Sequence, residues 1–306
     1  MPARLEIFRW IQVYRPVSSI AQSGDGQYVA VGSEVGAAVF NLSGHRLGAY
    51  PAADAEMPVH QIRTSLDFTR LSLATRLGDL LVCDLEPSAG RFSLDPRHLH
   101  HSVNGIHTLD FAAERIVLGH YTFALTMLDL EGNVVWRQQD SGEAVHGCNW
   151  SVSLTADGNI LYVGSASSGT NWLLALDAGS GMALHRRECD GAVMAVAALA
   201  DNAGVAVLTP DEYDAVRLIA YSADLGKVLW KQNLDSPATL AADAAAPLLA
   251  VGGGYEGRVA IVDAASGAVL ASTALRVTVN NLSLVCGRCV AAATQDNSVA
   301  LLRYLP

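Results

Sequence analysis

Short apolar runs recur along the whole chain, and each closes on a small residue: "YVAVG", "LSLAT", "RIVLG", "LYVG", "VAVLT", "LLAVG" and "VAAAT". The closing residues are Gly32, Thr75, Gly119, Gly164, Thr209, Gly252 and Thr294, at spacings of 43, 44, 45, 45, 43 and 42. Each run is bounded by turn residues and is too short for a helix, so each reads as a buried strand. A turn precedes it ("GDGQ", "LDFTR", "ADGN", "DNAG", "CGRC"), and before that lies another apolar run such as "VSSIA" or "NNLSL". After a variable loop comes a third run, often ending in Asp ("LLVCD", "LTMLD", "LLALD", "VAIVD"). A Gly-bearing turn and a fourth run such as "VVWRQQ" then complete the unit. Asx-Gly and Gly-rich turns between such runs are hairpin signals, because Gly tolerates positive φ. Four strands per 40–45 residues is the period of a propeller blade. The expected fold is therefore all-β, a seven-bladed β-propeller occupying residues 1–306 as a single domain.

The last copy, 279–306, holds only three strands. The first residues, "LEIFRWIQVY", carry the pattern of a fourth strand and echo "GNVVWRQQ" (Gly132 to Gln139) and "GKVLWKQN" (Gly226 to Asn233). Pairing the N-terminal strand with the last blade closes the ring and removes an open sheet edge. Trp10, Trp136 and Trp230 are expected to pack between neighbouring blades on outer strands.

Several of these segments resemble the PQQ-like propeller repeats, whose pattern is roughly Ala-x-Asp-x-x-x-Gly-x-x-x-Trp. Asp129, Gly132 and Trp136 fit it best; Asp177, Gly181, Asp263 and Gly267 fit without the Trp; Gly226 and Trp230 fit without the Asp. The blade also resembles that of WD-repeat proteins, although the Trp-Asp and Gly-His pairs are missing. The resemblance spans nearly the whole chain and implies the fold. It does not bring the quinone cofactor, since there is no adjacent cysteine pair, the blade number is seven and no export signal is visible. The expectation is no cofactor.

Charge narrows the partners. The net charge is −10, with 30 acidic and 20 basic residues. A basic face of the kind that holds phosphates is missing, which argues against nucleic acid. The longest apolar burst, "AVMAVAALA", is far too short to cross a bilayer, and the start of the chain lacks a signal peptide's apolar core. The reading is a cytoplasmic protein that neither binds nor spans a membrane. Five cysteines, an odd number, read as free and mostly buried thiols.

Motifs with chemical meaning fall to the repeat. "CGRC" (Cys286, Cys289) sits on a hairpin without a second ligand pair. "GGGYEG" matches G-x-G-x-x-G at Gly252, Gly254 and Gly257, but a strand follows it where a phosphate site needs a helix. His98, His100 and His101 are assigned to a connecting loop, and no metal site or catalytic set is assigned. Function is expected where loops vary on a rigid frame. In a propeller the two–three and four–one loops share one face; here they are long and polar, while the one–two and three–four turns are short. The contact residues assigned to that face are Glu34, Arg76, His120, Tyr121, Asp211, Glu212, Tyr213, Tyr255 and Glu256. His60, Asn104, His146, Asn149, Asn280, Asn281, Gln295 and Asp296 share it. Two functions follow: a non-catalytic scaffold binding a protein partner, as one subunit of a larger assembly, or an enzyme or ligand-binding or metal-binding propeller with its site at the mouth of the central channel. The sequence leans to the first.

Overall fold

Every run that closes on Gly or Thr is the second strand of a four-stranded antiparallel meander. The computed structural model describes residues 3–13, 15–51, 58–88, 91–122, 124–138, 147–167, 171–210, 216–234, 239–254 and 256–306. Among these, seven four-stranded sheets follow one another. Blade one comprises Val17–Gln22, Tyr28–Ser33, Gly36–Asn41 and Arg46–Tyr50. Blade two comprises Val59–Thr64, Arg70–Thr75, Asp79–Asp84 and Arg97–His101, and blade three Ile106–Ala112, Arg115–His120, Leu125–Leu128 and Val134–Gln138. Blade four holds Gly147–Leu154, Ile160–Ser167, Asn171–Asp177 and Ala183–Cys189; blade five holds Ala195–Ala198, Gly204–Pro210, Val216–Ser222 and Val228–Leu234. Blade six holds Thr239–Ala242, Leu248–Gly253, Arg258–Asp263 and Val269–Ala274. Blade seven takes Val279–Val285, Cys289–Thr294 and Ser298–Leu305 from the end of the chain and Arg4–Gln12 from its start.

The small closing residue has a steric cause. Blades converge toward the axis, and the next blade's first strand crosses the second strand at this point. A Cβ on Gly164 would lie 2.5 Å from Val193, one on Gly252 2.9 Å from Leu282, and one on Gly32 3.1 Å from Val59. Where Thr stands instead, its hydroxyl serves the following turn. Asp79 N donates to Thr75 Oγ1 at 3.1 Å, and Thr294 Oγ1 donates to Ser298 O at 2.8 Å.

Two sets of contacts hold neighbouring blades together. Near the axis, polar side chains on one first strand accept from backbone N–H groups on the next. Ser19 Oγ accepts from Ile62, Asp110 Oδ2 from Leu154, Ser151 and Ser153 from Val196 and Ala198, and Asn281 Oδ1 from Ile20. These N–H groups lie on sheet edges and have no strand partner on that side. At the rim, an apolar side chain of one fourth strand sits over the three–four turn of the next blade. Trp136 lies on Gly181 and Trp230 on Gly267, where a Cβ would come within 2.8 and 2.6 Å of the indole. Both glycines have positive φ (73° and 75°), so the turn needs Gly for conformation as well as for space. Each indole N–H is satisfied in the same turn, by Ala178 O at 2.9 Å and Ala264 O at 2.8 Å.

The seam closes as expected. Arg4–Gln12 pairs antiparallel with Ser298–Leu305, from Arg4↔Leu305 to Gln12↔Ser298. Trp10 departs from expectation: it is 43% exposed instead of packed between blades. A bulge between Ile7 and Arg9 shifts the register by one, so Ile11 takes the place beside Gly44 in blade one's three–four turn. Leu5 and Ile11 are the buried residues of this strand.

Two further expectations change. In blade two the three–four connection is long and carries a hairpin, Pro87–Ser88 with Arg91–Phe92. Phe92 from this insert packs edge-on against Tyr28 and Phe68, covering the base of blades one and two. The cysteines are not mostly buried. Cys83 is buried, and burial pushes its thiol up to about 12; Cys189 and Cys289 are half-buried and Cys286 is exposed. The reason is positional, since Cys286 occupies the tip of a one–two turn. The side chain of Cys148 lies outside the described residues.

Three outcomes follow. Deleting residues 1–13 opens the ring and uncovers the edge of Ser298–Leu305, so the truncated chain should melt well below the full one; an unchanged melting temperature would refute closure at this seam. Trp230→Ala should cost about 3–5 kcal/mol in chemical denaturation, and the half-buried Trp136→Ala about 2–3 kcal/mol. The third concerns acid. The Thr155 hydroxyl, then the Asn159 N–H and the Asn202 and Asn159 amides, hold the Asp157 carboxyl down at about 2 from its ordinary 3.8, against the opposing effect of burial. Because the folded value is the lower one, this bracing of the blade four turn onto blade five is complete above pH 4 and lost as pH falls toward 2. Carboxyl NMR titration should give Asp157 the low value, and Asn202→Ala should raise it.

Candidate partner-binding face

The two–three turn of blade two, the four–one loop into blade three and the two–three turn of blade three adjoin one another. Ser102 N donates to Gly78 O at 2.9 Å, and Gly105 N donates to Ser102 O at 3.0 Å. Beneath them His120 works as a clamp. Its Nδ1 lies 2.9 Å from both Gly105 O and Ser102 Oγ, and its Nε2 lies 2.9 Å from Thr126 Oγ1. The network assigns the proton to Nδ1, donated to Gly105 O, while Nε2 accepts from the Thr126 hydroxyl. Burial pushes the His120 imidazole below its ordinary range, so it is neutral at pH 7. Tyr121 then closes on Gly105, where a Cβ would come within 2.7 Å of the ring, and meets the His107 ring at 4.9 Å.

The result is a braced platform with apolar tips. Leu77 is 66% exposed, Val103 90% and Tyr121 51%. Arg76 and Asn104 are exposed beside them. Sequence reasoning found Arg76 and Tyr121 but missed Leu77 and Val103. The signal that would have found them is an apolar residue inside a polar turn, "TRLGD" and "SVNG".

The other assigned residues separate. Glu34 is exposed in the two–three turn of blade one, and Glu256 is exposed in that of blade six, its carboxylate 3.8 Å from Arg258. His120 is a correction: at 3% exposure it supports the loop from below and offers nothing to a partner. The histidine spacing hides this, because the ring is enclosed by Ser102 of the four–one loop and Thr126 of the third strand. Asp211, Glu212, Tyr213 and Tyr255 lie outside the described residues, as does His146. Asn281 faces the axis, where it braces Ile20. His60 is half-buried, and burial, with His107 and Arg76 nearby, holds its imidazole neutral.

A second correction concerns His98, His100 and His101. They lie on the fourth strand of blade two, Arg97–His101, and not in a loop. His98 Nε2 and His101 Nδ1 both approach Asp79 Oδ1, at 3.1 and 2.8 Å.

The central channel is a cavity of about 700 Å³ lined by first strands of all seven blades. Its character changes around the ring. Blades two to four contribute Gln61, Arg63, Asp110, Ser151 and Ser153, while blades five and six contribute alanines. Arg63 Nε meets Asp110 Oδ1 at 3.3 Å; burial raises the Asp110 carboxyl, and Arg63 and the Leu154 N–H oppose that rise. The lining extends to one–two turn residues such as Leu66, Ala113 and Ala156 and, among the described residues, includes none of those assigned to partner contact.

No helix among the described residues is long and apolar enough to cross a membrane. No curated protein matches the sequence. Among solved structures, a chain of the mitotic checkpoint complex superposes with a TM-score of 0.78 at 17% identity, covering 97% of this chain and 94% of that one. Chaetomium thermophilum Raptor superposes with a TM-score of 0.81 at 14% identity, over 100% of this chain and 29% of that one. At these identities the likeness is one of fold. The family model described as outer membrane protein assembly factor BamB matches residues 121–302. That stretch runs from the end of blade three's second strand into the third strand of blade seven, and includes both Trp-on-Gly contacts, so the chain belongs to this PQQ-like propeller family.

Proposed function

We propose that this propeller is a non-catalytic scaffold that docks a protein partner through its two–three and four–one loops, as one subunit of a larger assembly. The observation that carries the reading is the exposed apolar set Leu77, Val103 and Tyr121, presented on turns that His120 and Gly105 hold rigid. Rigid aromatic and aliphatic tips with a polar rim are what protein interfaces use, because they bury area at small entropic cost. Arg76, Asn104 and, farther round the face, Glu34 and Glu256 supply that rim. The net charge of −10 favours a neutral or basic partner surface. The family description, an assembly factor, and the solved neighbour in a checkpoint complex support an assembly role for propellers of this kind.

The test is a triple replacement, Leu77→Ser, Val103→Ser and Tyr121→Ser, compared with the unaltered chain in co-purification from its own cells. The variant should melt within a few degrees of the original and lose at least one stoichiometric protein partner. Retention of every partner would remove this face.

A further inference from the structure

We propose that Asp79, His98 and His101 form a binding site for a divalent transition-metal ion of the zinc class, on the side of blade two. Their three ligand atoms lie within 4.8 Å of one another. Two imidazole nitrogens and one carboxylate oxygen are a donor set that suits zinc, with open positions for water or an incoming ligand.

The backbone builds this convergence. His98 and His101 are three residues apart, and on a regular strand they would point to opposite faces. The fourth strand is irregular: Arg97↔Val82 and His98↔Leu81 are followed by His100↔Leu80 and His101↔Asp79, which leaves Leu99 without a partner. This bulge returns His101 to the face that His98 uses, the face on which Asp79 stands. Bulges re-aim side chains in this way. Leu99 fixes the distortion from the other side, because it fills the space over Gly132 in the next blade. Both ends of the strand are also tied. Arg97 Nη2 donates to Leu130 O at 2.9 Å, and Ser102 N donates to Gly78 O.

The dimensions are close to a coordination sphere. Tetrahedral zinc with bonds of about 2.0–2.1 Å separates its ligand atoms by roughly 3.3–3.4 Å. The nitrogen–oxygen separations here are 3.1 and 2.8 Å, so an opening of a few tenths of an ångström admits the ion. Asp79 is oriented from behind, its backbone N–H donating to Thr75 Oγ1, which positions a carboxylate ligand. The imidazoles are half exposed (54% and 50%), so the ion can enter from solvent. Without an ion the same atoms form a hydrogen-bonded clasp between the third and fourth strands, and the experiment must separate the two.

The full chain, free of any affinity tag and stripped with a chelator, is titrated with Co²⁺ while its visible absorption is followed, and Zn²⁺ is then added in competition. The expected result is one saturable Co²⁺ site per chain with ligand-field bands, abolished by stoichiometric Zn²⁺. H98Q and H101Q should each weaken binding by roughly tenfold or more, with melting of the apo chain close to that of the parent. H185Q, an exposed histidine on blade four, should leave binding unchanged. D79N tests the carboxylate, and because it also alters the turn it is read together with the two histidine variants. The proposal fails if no saturable Co²⁺ spectrum develops, if H98Q and H101Q together retain it, or if H185Q removes as much of it as they do. It borders the partner face, since Asp79 follows the Leu77 turn and His101 precedes Ser102, but the triple serine variant removes none of its ligands and tests that face by itself.

Discussion

A β-sheet with an open edge is incomplete, and this molecule is organised around covering edges. Each blade has two. The inner edge, facing the axis, exposes backbone N–H groups that no strand can reach, and the hydroxyl, amide or carboxylate of Ser19, Asp110, Ser151, Ser153 and Asn281 supplies the missing acceptor. Each neutral one of these hydrogen bonds contributes about 1 kcal/mol and the bond to the Asp110 carboxylate more, and leaving a buried donor unmet costs more still. The ring itself has one further edge, where the last blade would end a strand short, and Arg4–Gln12 covers it. Blades seven and one also meet directly, Asn281 Oδ1 accepting from the Ile20 N–H, so strand and inner contact close the circle together.

Much of this architecture is readable in the residues, for a physical reason. The axis leaves room for a hydrogen atom or a small hydroxyl side chain where one blade's second strand meets the next blade's first, so Gly or Thr recurs at that place in all seven units. Trp136 and Trp230 are similarly legible, since each needs a glycine turn to lie on. Legibility ends where the cause is a one-residue irregularity. The bulge at Phe8 exchanges Trp10 for Ile11 over Gly44, and that beside Leu99 gathers His98 and His101 onto Asp79; neither has a compositional mark. The hairpin inserted after Asp84 was equally silent, because two-residue strands carry no periodicity.

The candidate face was legible as a face and poorly legible residue by residue. Loop polarity located it, and Tyr121 and Arg76 were identified from chemistry alone. His120 misled because a histidine in a loop-like stretch reads as exposed, while its ring is enclosed by Ser102 of the preceding loop and Thr126 of the following strand. Leu77 and Val103 were overlooked for the converse reason: a single aliphatic residue in a turn looks incidental until the surrounding turns are seen to hold it outward.

The closing strand also has a consequence in time. Its partner, Ser298–Leu305, is made some three hundred residues later, and at ordinary rates of about 5–20 residues per second the first strand waits roughly 15–60 s for it. During that wait it is an unpaired segment bearing Ile7, Phe8 and Trp10, the combination that seeds intermolecular pairing. Arg4, Glu6 and Arg9 are interleaved among those residues, and charges so placed interrupt aggregation without disturbing the later antiparallel register. The charge pattern of this short strand thus guards the interval of biosynthesis, before the ring that needs it exists.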